Sequence, residues 1–154
     1  MNTYEKIRLQ ITPYLPEAGT TIGELVFLSP DAFWRGEAQG CPFLAVAEDR
    51  WPYDNGGTFL AVTKDGPVYI ADLDDNQFLD YCAASFSQFI EIMNRFLTIL
   101  KTHQSPSVFD EEGLRRCEEE EKWLRQEINH IDAAAIQDPN SFWSVMAEEI
   151  GAGF

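Results

Sequence analysis

Thr58-Phe59-Leu60-Ala61-Val62-Thr63, Lys64-Asp65-Gly66 and Pro67-Val68-Tyr69-Ile70-Ala71 follow one another directly, and a polar break at Asp74-Asp75-Asn76 separates them from Phe78-Leu79-Asp80-Tyr81-Cys82. The apolar runs are rich in β-branched and aromatic residues, and Asp65-Gly66 is a hairpin turn signal, so the first two runs are expected to pair. The third extends the pair into a meander. Beyond it the apolar period changes from two to 3.6: Phe86, Phe89, Ile90, Met93, Phe96, Leu97 and Leu100 fall on one stripe of a helix. Ser85 and Gln88 have the spacing of a capping box, which fixes where that helix starts. Burying a large apolar side chain stabilises by roughly 1.5–3 kcal/mol before ordering entropy is subtracted, so this stripe is expected to pack on the sheet.

Upstream, Glu5 to Ile11 fits a short helix or a strand equally well, and Pro13 and Pro16 end it. Gly19-Thr20-Thr21 continues the loop. Leu25-Val26-Phe27-Leu28 reads as a buried strand, Asp31 to Trp34 as one helical turn, and Phe43 to Ala47 as the next strand. Glu48 to Gly57 needs a sharp loop, for which Gly56-Gly57 tolerates positive φ. Downstream, Asp110 caps a long helix, with Phe109 and Leu114 at hydrophobic-staple spacing and Glu111 and Glu112 in the first turn. Glu111 with Arg115, Glu112 with Arg116, Glu118 with Lys122 and Glu121 with Arg125 are i,i+4 pairs in the favoured order. Leu114, Cys117, Leu124, Ile128 and Ile131 form its apolar side. Asp132 to Ile136 is a short turn, Asp138-Pro139 is expected to open a last helix, and Gly151 to end it. Phe142, Met146 and Ile150 share a face there, with Trp143 beside them. The expected fold is α+β: a mostly antiparallel sheet of four to six strands, a central amphipathic helix and C-terminal helices, in a single domain over residues 1–154.

At 154 residues, 45% hydrophobic and 13% aromatic, the chain has the composition of a globular protein with one core. No apolar run approaches the ~20 residues that span a bilayer. Met1 to Lys6 lacks a signal-peptide pattern, so a cytoplasmic location is expected. The three cysteines, Cys41, Cys82 and Cys117, show no CxxC spacing and no adjacent histidine, which argues against a disulfide framework and a zinc site. With 26 acidic and 11 basic residues the formal charge is −15. Such a surface repels nucleic acid and anionic membranes and favours a basic partner.

The strands, the Asn55-Gly56-Gly57 turn, the Asp65-Gly66 hairpin, the Ser85-Phe86-Ser87-Gln88-Phe89 helix start and a tryptophan-containing tail together resemble the SUKH superfamily of bacterial immunity proteins. Distant members of that superfamily include the yeast Smi/Knr cell-wall regulators. The resemblance runs from about Leu25 to Phe154. Its tail, Ile131-Asp132 with Asp138, Phe142-Trp143 and Glu148-Glu149, is most similar to the fourth subfamily, in which proline often follows the aspartate; here that position is Ala133. The resemblance implies a non-catalytic α+β domain that binds and inactivates a cognate toxin domain, often a nuclease or deaminase, without a cofactor. A regulatory or scaffold domain with an endogenous protein partner is the alternative. The superfamily shares no catalytic motif, and its recognition residues vary, so neither is carried over.

Four candidate sites remain. Asp72, Asp74 and Asn76 match the start of a calcium loop, but Gln77 stands where the turn glycine belongs and Ala83 where the bidentate glutamate belongs. Cys82 and Cys117 fall on apolar faces, and neither His103 nor His130 is placed by sequence to act as a base, so no catalytic residue is expected. Glu118 to Glu121 reads as a solvated helix face. The favoured partner-binding set is Glu48, Asp49, Trp51, Tyr53, Asp54, Asp72, Asp74 and Asp75: aromatic anchors beside carboxylates on loops expected to meet at one sheet edge.

Overall fold

The computed structural model describes residues 1–49, 57–72 and 74–154, and these form two compact units, Met1–Phe89 and Ile90–Phe154. The boundary falls within helix α2 (Phe86–Leu100). The architecture is α+β, as the sequence predicts.

In the first unit the expected meander is present as β5 (Thr58–Thr63), β6 (Val68–Asp72) and β7 (Gln77–Ala83). Gly66 sits at φ +112° in the β5–β6 turn, a conformation closed to most side chains. β4 (Cys41–Asp49) pairs antiparallel with β5, and β2 (Leu25–Phe27) and β1 (Thr21–Ile22) continue the sheet on the other side of β4. A further strand, β3 (Trp34–Ala38), pairs with the first half of β4, bringing the sheet to seven strands. This exceeds the expected four to six, because Thr21–Ile22 reads as loop and Trp34 as the end of a helical turn. Only Pro30–Ala32 makes that turn. The β3–β4 connection is Gln39-Gly40 with φ of 51° and 74°, a two-residue hairpin that needs positive φ at both positions. Gln-Gly lacks the Asn or Asp that announces such a turn, so the strand before it went unread.

The ambiguous N-terminal segment is a helix, α1 (Thr3–Ile11). Asn2 Oδ1 accepts the Glu5 N–H at 2.8 Å and the Glu5 carboxylate accepts the Asn2 N–H, a closed capping box. Ile7 and Ile11, four apart, are both buried, while Leu9 between them is 61% exposed; a strand would have turned all three the same way. α1 lies against β4. Leu44, Leu60, Val62, Val68 and Ile70 supply one buried face of the sheet, and Phe86 and Phe89 are buried and stacked on each other.

Ser85 caps α2 as expected, its Oγ accepting the Gln88 N–H at 3.2 Å. Phe86, Phe89, Met93 and Phe96 of the expected stripe are buried, but its flank is Ile92 and Ile99 instead of Ile90, Leu97 and Leu100. In the second unit α3 (Glu111–Ile131) starts at Asp110, whose carboxylate accepts the Gly113 N–H at 2.9 Å. The staple does not form: Phe109 is 92% exposed. Of the four i,i+4 pairs Glu121 with Arg125 closes, at 2.7 Å, and Arg125 also donates to the Ser144 carbonyl of α4 (Phe142–Gly151). That helix begins at Ser141, not at Asp138-Pro139. Ser141 Oγ accepts the Ser144 N–H, whereas Asp138 spends its carboxylate on the Asn140 N–H in the preceding turn. Trp143, fully buried between Phe96 and Phe142, is the centre of this unit's core.

Candidate protein-binding site

β4 ends and β5 begins at the same end of the sheet at which β6 ends and β7 begins, because Thr58 is paired with Asp72 and Asp72 with Gln77. Five of the eight expected residues therefore come together there. Glu48 and Asp49 lie at the end of β4, Asp72 at the end of β6, and Asp74 and Asp75 in the turn after it. Glu48, Asp74 and Asp75 are exposed, while Asp49 and Asp72 are half-buried and hold local structure. Asp49 accepts the Thr58 hydroxyl at 3.2 Å, and Asp72 accepts the Asp74 N–H at 2.9 Å. That second bond makes the calcium-like sequence an Asx turn between two strands. Trp51, Tyr53 and Asp54 lie outside the described residues.

Beside this acidic end the sheet carries aromatic rows that sequence reading missed. Direct cross-strand partners share a face, so register puts Glu48, Phe59, Ala71 and Phe78 in one row and Trp34, Ala45, Ala61, Tyr69 and Tyr81 in the next. Trp34 meets Phe59 edge-on at 4.5 Å, and Tyr69 stacks on Phe78 at 4.5 Å. Alanines beneath them, with Phe43, are buried, whereas Trp34, Phe59 and Phe78 stay half-buried. Phe43 of β4 meets Phe78 of β7 at 6.1 Å although β5 and β6 lie between them in the sheet, so the sheet curls toward this face. The Gln39 N–H donates to the Asn76 carbonyl and its side-chain oxygen accepts the Phe78 N–H at 3.1 Å, which latches the β3–β4 turn to β7. The signal lay in the alternation of Phe43 with Ala45 and of Phe59 with Ala61, large over small on one side of each strand.

Cys82 and Cys117 are fully buried, in keeping with the apolar faces on which they fall. Burial pushes the Cys82 thiol well up from its ordinary value, and the charge of Asp80 adds to this. His103, unplaced by the sequence, has its Nδ1 3.1 Å from Glu120 Oε1. Among the described residues no helix is long and apolar enough to cross a membrane.

A family model described as SUKH-4 immunity protein matches residues 17–149. The chain belongs to this family. Within SUKH-4 the departure at Ala133 is structurally mild: Asp132 caps the 3₁₀ turn Ala133–Ile136, and Ala133 holds its first position, where proline is equally at home. No curated protein and no solved structure matches the chain. The family assignment supports an immunity role against a toxin.

Proposed function

We propose that this SUKH-4 protein is a non-catalytic binder that neutralises a cognate toxin domain, and that it does so with the acidic end of the sheet. The observation that carries the surface is the convergence of Glu48, Asp49, Asp72, Asp74 and Asp75 beside half-buried Phe59 and Phe78. Carboxylates give steering and exclude wrong partners, and partly open rings give area that a partner can desolvate. A toxin that acts on nucleic acid needs a basic substrate groove, and an acidic surface of this kind fits such a groove and occludes it.

The test is protection. A toxin domain encoded beside this gene is expressed in a sensitive host with and without the chain. Growth is expected to be restored by the parent protein and to be lost again when Asp74 and Asp75 are both changed to lysine. Full protection by that variant, with the toxin still captured, would move the interface elsewhere, and Glu118 to Glu121 would be examined next.

A further inference from the structure

The segment following α2 brings His103 against α3, where Cys117 and Glu120 lie one turn apart on the same side of the helix. The His103 side chain is only 6% exposed, and its Nδ1 is held 3.1 Å from Glu120 Oε1. Its Nε2 has no hydrogen-bond partner among the described residues. Cys117 is fully buried, and its thiol faces the Gln104 carbonyl, at 3.9 Å, and the Glu120 carboxylate. One donor atom from each of the three side chains lies within 4.8 Å of the other two. A histidine–glutamate hydrogen bond accounts for one ring nitrogen. It leaves the second nitrogen bare, and buried polar atoms are nearly always satisfied.

We propose that His103, Cys117 and Glu120 form a binding site for a zinc ion. The donor set of imidazole nitrogen, thiolate sulphur and carboxylate oxygen is one that zinc favours. A thiolate and a carboxylate with a neutral imidazole balance the charge of a divalent ion. On binding, the Cys117 thiol proton leaves to solvent and the sulphur–metal bond replaces it. Zinc bonds of about 2.0–2.3 Å put tetrahedral ligands about 3.3–3.7 Å apart, so the donors close in by about an ångström, a movement within the range of Glu120 and His103 side-chain rotation. Three protein ligands leave the fourth position to water. A groove of about 350 Å³, lined by Thr102, Arg116 and Glu119 among others, reaches Glu120 from outside. Once bound, the ion ties the segment after α2 to α3. The sequence concealed this site because His103 and Cys117 are separated by a loop and a helix start, with none of the short spacings that announce zinc.

The test titrates the reduced full-length protein with cobalt(II), which replaces zinc and reports a thiolate ligand by charge-transfer absorption in the near ultraviolet. One equivalent is expected to produce the band, and zinc to bleach it. Cys117→Ser is expected to abolish it, Cys41→Ser to leave it unchanged, and His103→Gln and Glu120→Gln each to weaken apparent affinity at least about tenfold. Zinc should also raise the melting temperature of the parent and not of His103→Gln, since a ligand specific to the native state stabilises it. The proposal is overturned if the parent shows no band at saturating cobalt. It is equally overturned if the band survives Cys117→Ser, or if His103→Gln and Glu120→Gln both bind as the parent does.

Discussion

Gly36 shows how one missing side chain shapes the concave face. Paired with Phe43 across β3 and β4, it lies where any Cβ would overlap the Phe43 ring, so glycine lets that ring lie flat over the strand. Gly36→Ala is expected to lower unfolding free energy by about 1–3 kcal/mol, the usual cost of overpacking. Denaturant melts of Gly36→Ala, Phe43→Leu and the double variant would check it. The double variant should be less damaged than the sum of the two, and strict additivity would mean that the ring is not the obstacle. Cys82 makes a second prediction, about pH. Its folded thiol is held well above the ordinary 9.0, chiefly by burial. The folded protein then binds a proton that the unfolded chain releases, so the stability contribution is intact below about pH 9 and declines as pH climbs from there toward the folded value. Denaturation midpoints measured from pH 8 upward should fall, and Cys82→Ala should flatten that fall; an equal slope in the variant would place its cause in other groups.

Among the elements, α2 was the most legible and still the most instructive. Its start followed from Ser85 and Gln88, and Phe89→Ala should cost about 3–5 kcal/mol because that side chain is fully buried. Ser85→Ala should cost about 1 kcal/mol by removing the cap. A Phe89→Ala protein that melted like the parent would contradict the burial. What periodicity could not decide was the exact orientation of the helix. Ile90 and Leu97 lie on one flank of the Phe86, Phe89, Met93 and Phe96 line and Ile92 and Ile99 on the other, and only tertiary packing selects between them. The same limit explains Phe109 and Asp138. Each sits in a pattern that is locally favourable, but Phe109 turns to solvent and Asp138 satisfies a nearer amide. β3 was missed for a different reason, since its turn relies on a glutamine at positive φ. The acidic end was legible because carboxylates cluster in sequence at two strand ends that a meander brings together. The large–small alternation within β4 and β5 marks a face, but how the aromatic residues line up across strands, and the donor group around His103, depend on register and on loop path, which no single stretch encodes.

For the molecule as a whole, charge separates encounter from holding. A formal charge of −15 attracts any basic partner, and Glu48, Asp49, Asp72, Asp74 and Asp75 place five of the 26 acidic residues at one end of the sheet. Attraction between exposed charges is screened over about 8–10 Å at 0.1–0.15 M salt, so association with a basic toxin should slow steeply as salt rises, while dissociation changes less. Replacing Asp74 and Asp75 with lysine reverses charge at two exposed turn positions that support no other element, so the fold should stay intact and the loss should appear mainly in the on-rate. Phe59→Ala and Phe78→Ala remove half-buried rings next to the same carboxylates and should act mainly through the off-rate, as the loss of a desolvated anchor does. Surface-bound toxin titrated with each variant at two salt concentrations separates these effects. If the lysine pair changed only dissociation, steering would not operate through this end of the sheet. If all the variants bound as the parent does, the toxin would be held by another face.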